Sequence, residues 1–154
     1  MATWFSVRVV YDKTNEQGRQ TKAKEVYLID ALSFTEAEAR AIGEVYPYVD
    51  KAGELKVTAM KMEELAEIFN TEDEAADRWY RVKVVFVMMD EKTMKEKKKH
   101  QMCLVKGKST EDAMKRLHEG MKGSMADYVI HTVSETQYED VFFYSLDKVN
   151  DETR

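Results

Sequence analysis

The chain has 154 residues, a formal net charge of −5 and one cysteine, Cys103. That length fits one ordinary domain or two very small ones. The lone cysteine excludes an internal disulfide framework and suits a reducing compartment, and the acidic balance argues against a protein that coats DNA by neutralising phosphates. No apolar run reaches the length of a membrane span, and the N-terminal MATWFSVRVV has no basic segment ahead of an apolar one. No signal peptide is therefore expected, and a cytoplasmic location is.

The first predicted element is a strand in which Phe5, Val7, Val9 and Tyr11 alternate onto one face, the period-two mark of a half-buried strand. A polar turn over Asp12–Gly18 leads to a second strand over Glu25–Asp30, making a hairpin. Ser33 caps a helix, with Glu36 three residues on to complete a capping box. Ala37, Ala41, Ile42 and Val45 form its apolar stripe, and Pro47 ends it, because proline cannot donate the backbone bond a helix interior needs. A strand near Leu55–Met62 and a short apolar-acidic segment, Glu63–Phe69, follow. Thr71 and Glu74 are spaced as another capping box, which predicts one or two helical turns before residue 79.

The same succession then returns. Tyr80, Val82, Val84 and Phe86 alternate, a turn covers Asp90–Thr93, and a strand runs over His100–Val105. Ser109 and Asp112 cap a helix whose stripe is Ala113, Leu117 and Met121, and Gly120 and Gly123 end it. A strand near Tyr128–Ser134 and a closing segment, Gln137–Tyr144, complete the set. The tail after Asp147 is polar and expected to fray.

This return is a repeat in residues as well as in elements. Trp4-Phe5-Ser6-Val7-Arg8-Val9-Val10-Tyr11 recurs 75 positions later as Trp79-Tyr80-Arg81-Val82-Lys83-Val84-Val85-Phe86. At that offset Thr35-Glu36 meets Thr110-Glu111 and Ile42 meets Leu117. Near the end the offset slips by two, and Glu67-Ile68-Phe69 meets Asp140-Val141-Phe142. The reading is a tandem duplication of a β-β-α-β unit, with repeats at 1–70 and 79–146, a short helical connector at 71–78 and a flexible tail at 147–154. One such unit buries little alone, so two copies should share a core. The expected fold class is α+β, a two-layer α/β sandwich with pseudo-twofold symmetry. Both helices would lie on the face of Phe5, Val7, Val9, Tyr80, Val82 and Val84. Two separate sheets packed face to face are the alternative.

The segments Asp30-Ala31-Leu32-Ser33-Phe34-Thr35-Glu36-Ala37-Glu38-Ala39-Arg40, Asp73-Glu74-Ala75-Ala76-Asp77-Arg78-Trp79 and Glu119-Gly120-Met121-Lys122-Gly123-Ser124-Met125-Ala126-Asp127-Tyr128 carry a resemblance. The chain resembles, from about Trp4 to Tyr144, an uncharacterised family of Bacteroidetes and their phages, domain of unknown function 4494. The resemblance implies a bacterial or phage-encoded cytoplasmic accessory protein and transfers no catalytic or binding residue.

Two groups of residues could bind a ligand. Trp4 and Arg8, with Trp79, Arg81 and Lys83, fall on the strand face away from the helices, where rings beside cations can stack bases and hold phosphates; the same tryptophans could equally cover a sheet edge or a subunit interface. Lys97, Lys98 and Lys99, beside Lys95 and His100, could contact phosphate, while lysines on exposed strands also guard against edge-to-edge aggregation. The glycines of Gly120-Met121-Lys122-Gly123-Ser124 follow a helix, whereas anion sites use a helix N-terminus. His100, His118, His131 and Cys103 lack zinc spacing, and Glu72-Asp73-Glu74 lacks the calcium-loop pattern. The ten methionines suit core filling, and an exposed subset would make an adaptable partner surface. No cofactor or metal is expected. The expected role is a non-enzymatic interaction protein that binds a partner protein or itself. The alternative is a binder of nucleic acid or a nucleotide, as a single-strand accessory protein or a signalling-nucleotide sponge.

Overall fold

A computed structural model describes residues 3–124 and 126–144; the expected tail at 147–154 lies outside them. The elements are β1 (Thr3–Thr14), β2 (Gln20–Ala31), α1 (Phe34–Val45), a 3-10 turn (Tyr46–Tyr48), β3 (Leu55–Glu63), β4 (Glu67–Phe69), β5 (Arg78–Met89), β6 (Glu96–Gly107), α2 (Thr110–Gly120), β7 (Asp127–Glu135) and β8 (Tyr138–Phe142). They form two four-stranded sheets, ordered β3-β1-β2-β8 and β4-β6-β5-β7. Among the described residues the architecture is thus mixed α+β, with the strands in two sheets and two helices. Two compact units result, one of Met1–Glu64 with Gln137–Arg154, the other of Leu65–Thr136. No helix among the described residues is long and apolar enough to cross a membrane.

In the first unit β1 pairs antiparallel with β2 and β3, and a register shift falls between Arg8 and Val9. In the second, β5 pairs likewise with β6 and β7, with a shift between Lys83 and Val84. Both hairpins run longer than the sequence suggested. Gln20–Lys24, with Ala23 its one apolar residue, and the wholly polar Glu96–Lys99 carry no apolar alternation to announce them as strand.

The strands that finish each sheet come from the other half of the chain. β8 lies parallel to β2, with Phe142 opposite Ile29; β4 lies parallel to β6, with Phe69 opposite Val105. Each covers a hairpin edge that would otherwise present unpaired amides and carbonyls.

Alternation places one core in each unit. Phe5, Val7, Val9, Tyr11, Tyr27 and Ile29 pack with Ala37, Ala41 and Val45 of α1. Tyr80, Val82, Val84, Cys103 and Val105 pack with Ala113 and Leu117 of α2. Ser33 Oγ accepts from the Glu36 N–H at 3.1 Å, and Ser109 Oγ from Asp112 at 3.1 Å. The acids reach back one residue beyond the usual box: Glu36 accepts from Leu32 N–H at 3.1 Å, Asp112 from Lys108 N–H at 3.0 Å. Ser33 and Ser109 stand 76 residues apart, one more than Trp4 and Trp79. Ala41 rather than Ile42 therefore takes the place of Leu117, and Ile42, expected in the buried stripe, lies on the surface.

The helical connector expected at 71–78 is not helical. Thr71 Oγ1 accepts from Asp73 N–H at 3.2 Å, and Asp73 Oδ1 from Ala75 N–H at 3.0 Å. These short side chains offer the backbone a chain of turns in place of helical bonds.

Candidate functional site

The residues expected to bind are placed unequally. Trp4 and Trp79 are buried, 6% and 4% exposed, so neither ring is an open stacking platform. Trp4 meets Phe143 edge-on at 5.4 Å, and Lys106 Nζ lies 5.7 Å from the Trp79 ring centre. Part of the face away from the helices is buried in both hairpins, with Leu28 and Leu104 inaccessible; the sequence pattern had assigned that face to solvent. Arg81 and Lys83 are half-buried and Arg8 is exposed. Arg8 borders a depression of about 220 Å³ with Ser6, Val26 and Lys61. Lys97, Lys98 and Lys99 are exposed on the ribbon of β6, with Lys97 Nζ 3.3 Å from Asp90. Cys103 is buried, and burial, with the Glu67 charge second, pushes its thiol up to about 11. It is a weak nucleophile near neutrality.

A different site emerges in the first unit, a cleft of about 370 Å³. Its floor follows from strand alternation. Tyr11 on β1 and Glu25 and Tyr27 on β2 share the helix-side face, and the Tyr27 hydroxyl donates to Glu25 at 2.8 Å. α1 supplies Glu44, which accepts a hydrogen bond from Tyr144, and the 3-10 turn supplies Tyr48, 69% exposed at the rim. β8 closes the far wall with Glu139, Asp140 and Phe142, whose ring stacks on Tyr27 at 5.5 Å and 25°.

Arg40 braces this wall. Its guanidinium lies 4.4 Å over the Tyr144 ring, 2.9 Å from Glu36 and 3.2 Å from the fully buried Asp30. In the second unit Arg116 binds Asp112 and Asp73, both at 2.8 Å. A helix arginine thus holds the residues just beyond the parallel edge strand in each unit.

Burial, followed by the hydrogen bond to Glu25, pushes the Tyr11 phenol up to about 12. Burial first and Glu25 second raise Tyr27 as well, and burial and Glu44 raise Tyr144. These phenols stay protonated near neutrality, so among the described lining residues the charge of the cleft is set by Glu25, Glu44, Glu139 and Asp140 against Lys13. Aromatic walls beside an excess of carboxylates suit an organic cation, whose charge meets both ring faces and oxygens. Among the described residues no group of three His, Cys, Asp or Glu side chains could hold a metal ion.

Sequence reasoning missed this cleft. The one available signal was Tyr11, Glu25 and Tyr27 on a single strand face; Glu139 and Phe142 arrive only through the parallel pairing of β8.

The described residues therefore form a mixed α+β fold of two four-stranded sheets, each carrying one helix, with an acidic aromatic cleft in the first unit. The sequence profile of a family described as a domain of unknown function (DUF4494) matches residues 3–144, and the chain belongs to that family. No curated protein and no solved structure matches it.

Proposed function

We propose that this chain is a non-enzymatic interaction protein that binds a basic segment of a partner protein in the tyrosine–carboxylate cleft. The observation that carries the reading is the cleft itself: among the described residues, four carboxylates against one lysine, walled by Tyr11, Tyr27, Tyr48 and Phe142. A lysine or arginine stem would lie along the rings while its head meets the oxygens. On this reading the chain is a bacterial or phage-encoded cytoplasmic accessory protein. Its halves, 1–70 and 79–146, are copies of one ancestral unit. Matching element order, hairpin length and register shifts support the duplication.

The test is an NMR titration with a hexalysine peptide and its fully Nε-acetylated form. The free peptide should shift the resonances of Tyr27, Tyr48 and β8, and lose its effect at about 1 M salt, where the screening length is about 3 Å. The acetylated peptide should leave them unmoved, and Glu139→Gln or Tyr48→Ala should weaken binding. Binding unaltered by both substitutions, or absent, would overturn the reading.

A second reading, nucleic acid or a nucleotide held by Arg8, Arg81, Lys83 and Lys97–Lys99, is favoured only by the exposed lysine ribbon. Strongly salt-dependent binding of single strands that fails in Lys98→Glu would support it.

A further inference from the structure

We infer that the occupant of the cleft is a second copy of this chain, which inserts the Lys98–Lys99 region of its β5–β6 ribbon. The inference rests on the reading of the cleft above and names its partner. The segment of β6 from Glu96 to His100 is exposed throughout, and at Glu96 and Lys97 it pairs with β5 where β5 has left β7. Lys98 and Lys99 have no carboxylate partner among the described residues, whereas Lys97 is held by Asp90. In the cleft, Glu139 is exposed and likewise has no cationic partner among the described residues.

The two patches therefore carry opposite unpaired charge on different units of one molecule. They are also matched in form. Lys98 and Lys99 stand exposed on the part of β6 that β4 does not reach, and beside them Met88, Met89 and Met94 are 43%, 62% and 72% exposed. Methionine adapts to aromatic surfaces, and the cleft offers Tyr48 at its rim. A contact between two unlike patches is heterologous. Each copy that donates its ribbon keeps its own cleft open, so association continues head to tail into a ring or a chain. Charge contacts of this kind lose strength with salt.

Sedimentation velocity over a concentration series tests the inference. The wild-type chain should show average mass rising with concentration past the dimer at low salt, and return to monomer at about 1 M salt. Lys98→Glu with Lys99→Glu blocks the donor end, and Glu139→Lys blocks the acceptor. Each lies on an exposed strand position, and unchanged far- and near-UV circular dichroism confirms folding. Each should weaken association at least about tenfold. An equimolar mixture of the two variants should give a one-to-one dimer and nothing larger, because one retains only a cleft and the other only a ribbon.

A wild-type monomer at every concentration would overturn the inference, as would variants that associate like wild type, or dissociation by the lysine changes but not by Glu139→Lys. Hexalysine binding in the cleft of a monomeric chain would overturn self-association alone and leave the reading of the cleft standing.

Discussion

The corner where helix, hairpin and parallel edge strand meet is made from different residues in the two units. In the first it holds Tyr27, Glu25 and Ala23 on β2, Ala41 and Glu44 on α1, and Phe142 on β8. In the second the same register and helix positions hold Cys103, Gln101 and Lys99, Leu117 and Gly120, and Phe69. Leu117 fills the helix–sheet space, and Phe69 presses so close to Gly120 that a Cβ there would lie 2.5 Å from its ring. In the first unit Ala41 is fully buried in the core, the polar Glu44 lines the cleft where Gly120 meets Phe69 in the second, and Phe142 stacks on Tyr27. One framework thus supports either an apolar closure or a polar opening, and the choice falls on a handful of side chains outside the hydrogen-bonded scaffold.

The sharpest way to break this comparison is to exchange the helix residues. Leu117→Ala empties a fully buried site and should cost about 2–5 kcal/mol in denaturant unfolding. The opposite change, Ala41→Leu, should cost about 1–3 kcal/mol by overpacking. If Ala41→Leu were neutral or stabilising, the first core would have spare volume and the contrast would fail. A smaller effect is expected where α2 meets β4. Gly120→Ala drives a methyl into the Phe69 ring and should cost about 1–3 kcal/mol, whereas Glu44→Ala, at the matching position, loses a hydrogen bond worth about 1 kcal/mol. Equal costs at the two positions would show that the close approach to Phe69 has no energetic weight.

The gentlest probe is alkaline pH. Cys103 is held near 11, above its ordinary 9, and Tyr11 near 12, above its ordinary 10. In both cases the folded state favours the protonated form. The stability each contributes is whole below its ordinary value and is lost as pH rises through the raised one. Loss should therefore begin above about pH 9 through the second unit's thiol and above about pH 10 through the first unit's phenol. Cys103→Val should abolish the earlier onset, as read by chemical denaturation across pH; an onset left in place would assign it elsewhere.

Much of the scaffold was legible because it rests on local rules. The alternation of Phe5 to Tyr11 and Tyr80 to Phe86 named the core faces, and Ser33 and Ser109 marked where the helices begin. What was hidden depends on choice among partners. Ile68-Phe69 and Val141-Phe142 are short apolar pairs that suit either hairpin edge, and nothing local says that each crosses to the other half. Thr71 and Glu74 have the spacing of a helix start, but Asp73 supplies a competing turn. Trp4 and Trp79 sit on the strand face away from the helices, and alternation cannot tell a solvated second face from a covered one. The cleft was only half legible for the same reason: Tyr11, Glu25 and Tyr27 belong to one hairpin, while Glu139, Asp140 and Phe142 reach it through the exchanged strand.

That exchange has a consequence for synthesis. β2 ends at Ala31, and β8, which covers its outer edge, begins at Tyr138. The ribosome therefore adds roughly 100 further residues, a span of roughly 5–20 s, before the first sheet can be sealed. Throughout that interval the nascent hairpin carries a bare row of amides and carbonyls, open to any passing strand. A message cut short ahead of β8 yields a product whose first sheet never closes, so completing that sheet doubles as a check that translation has run through its last described strand.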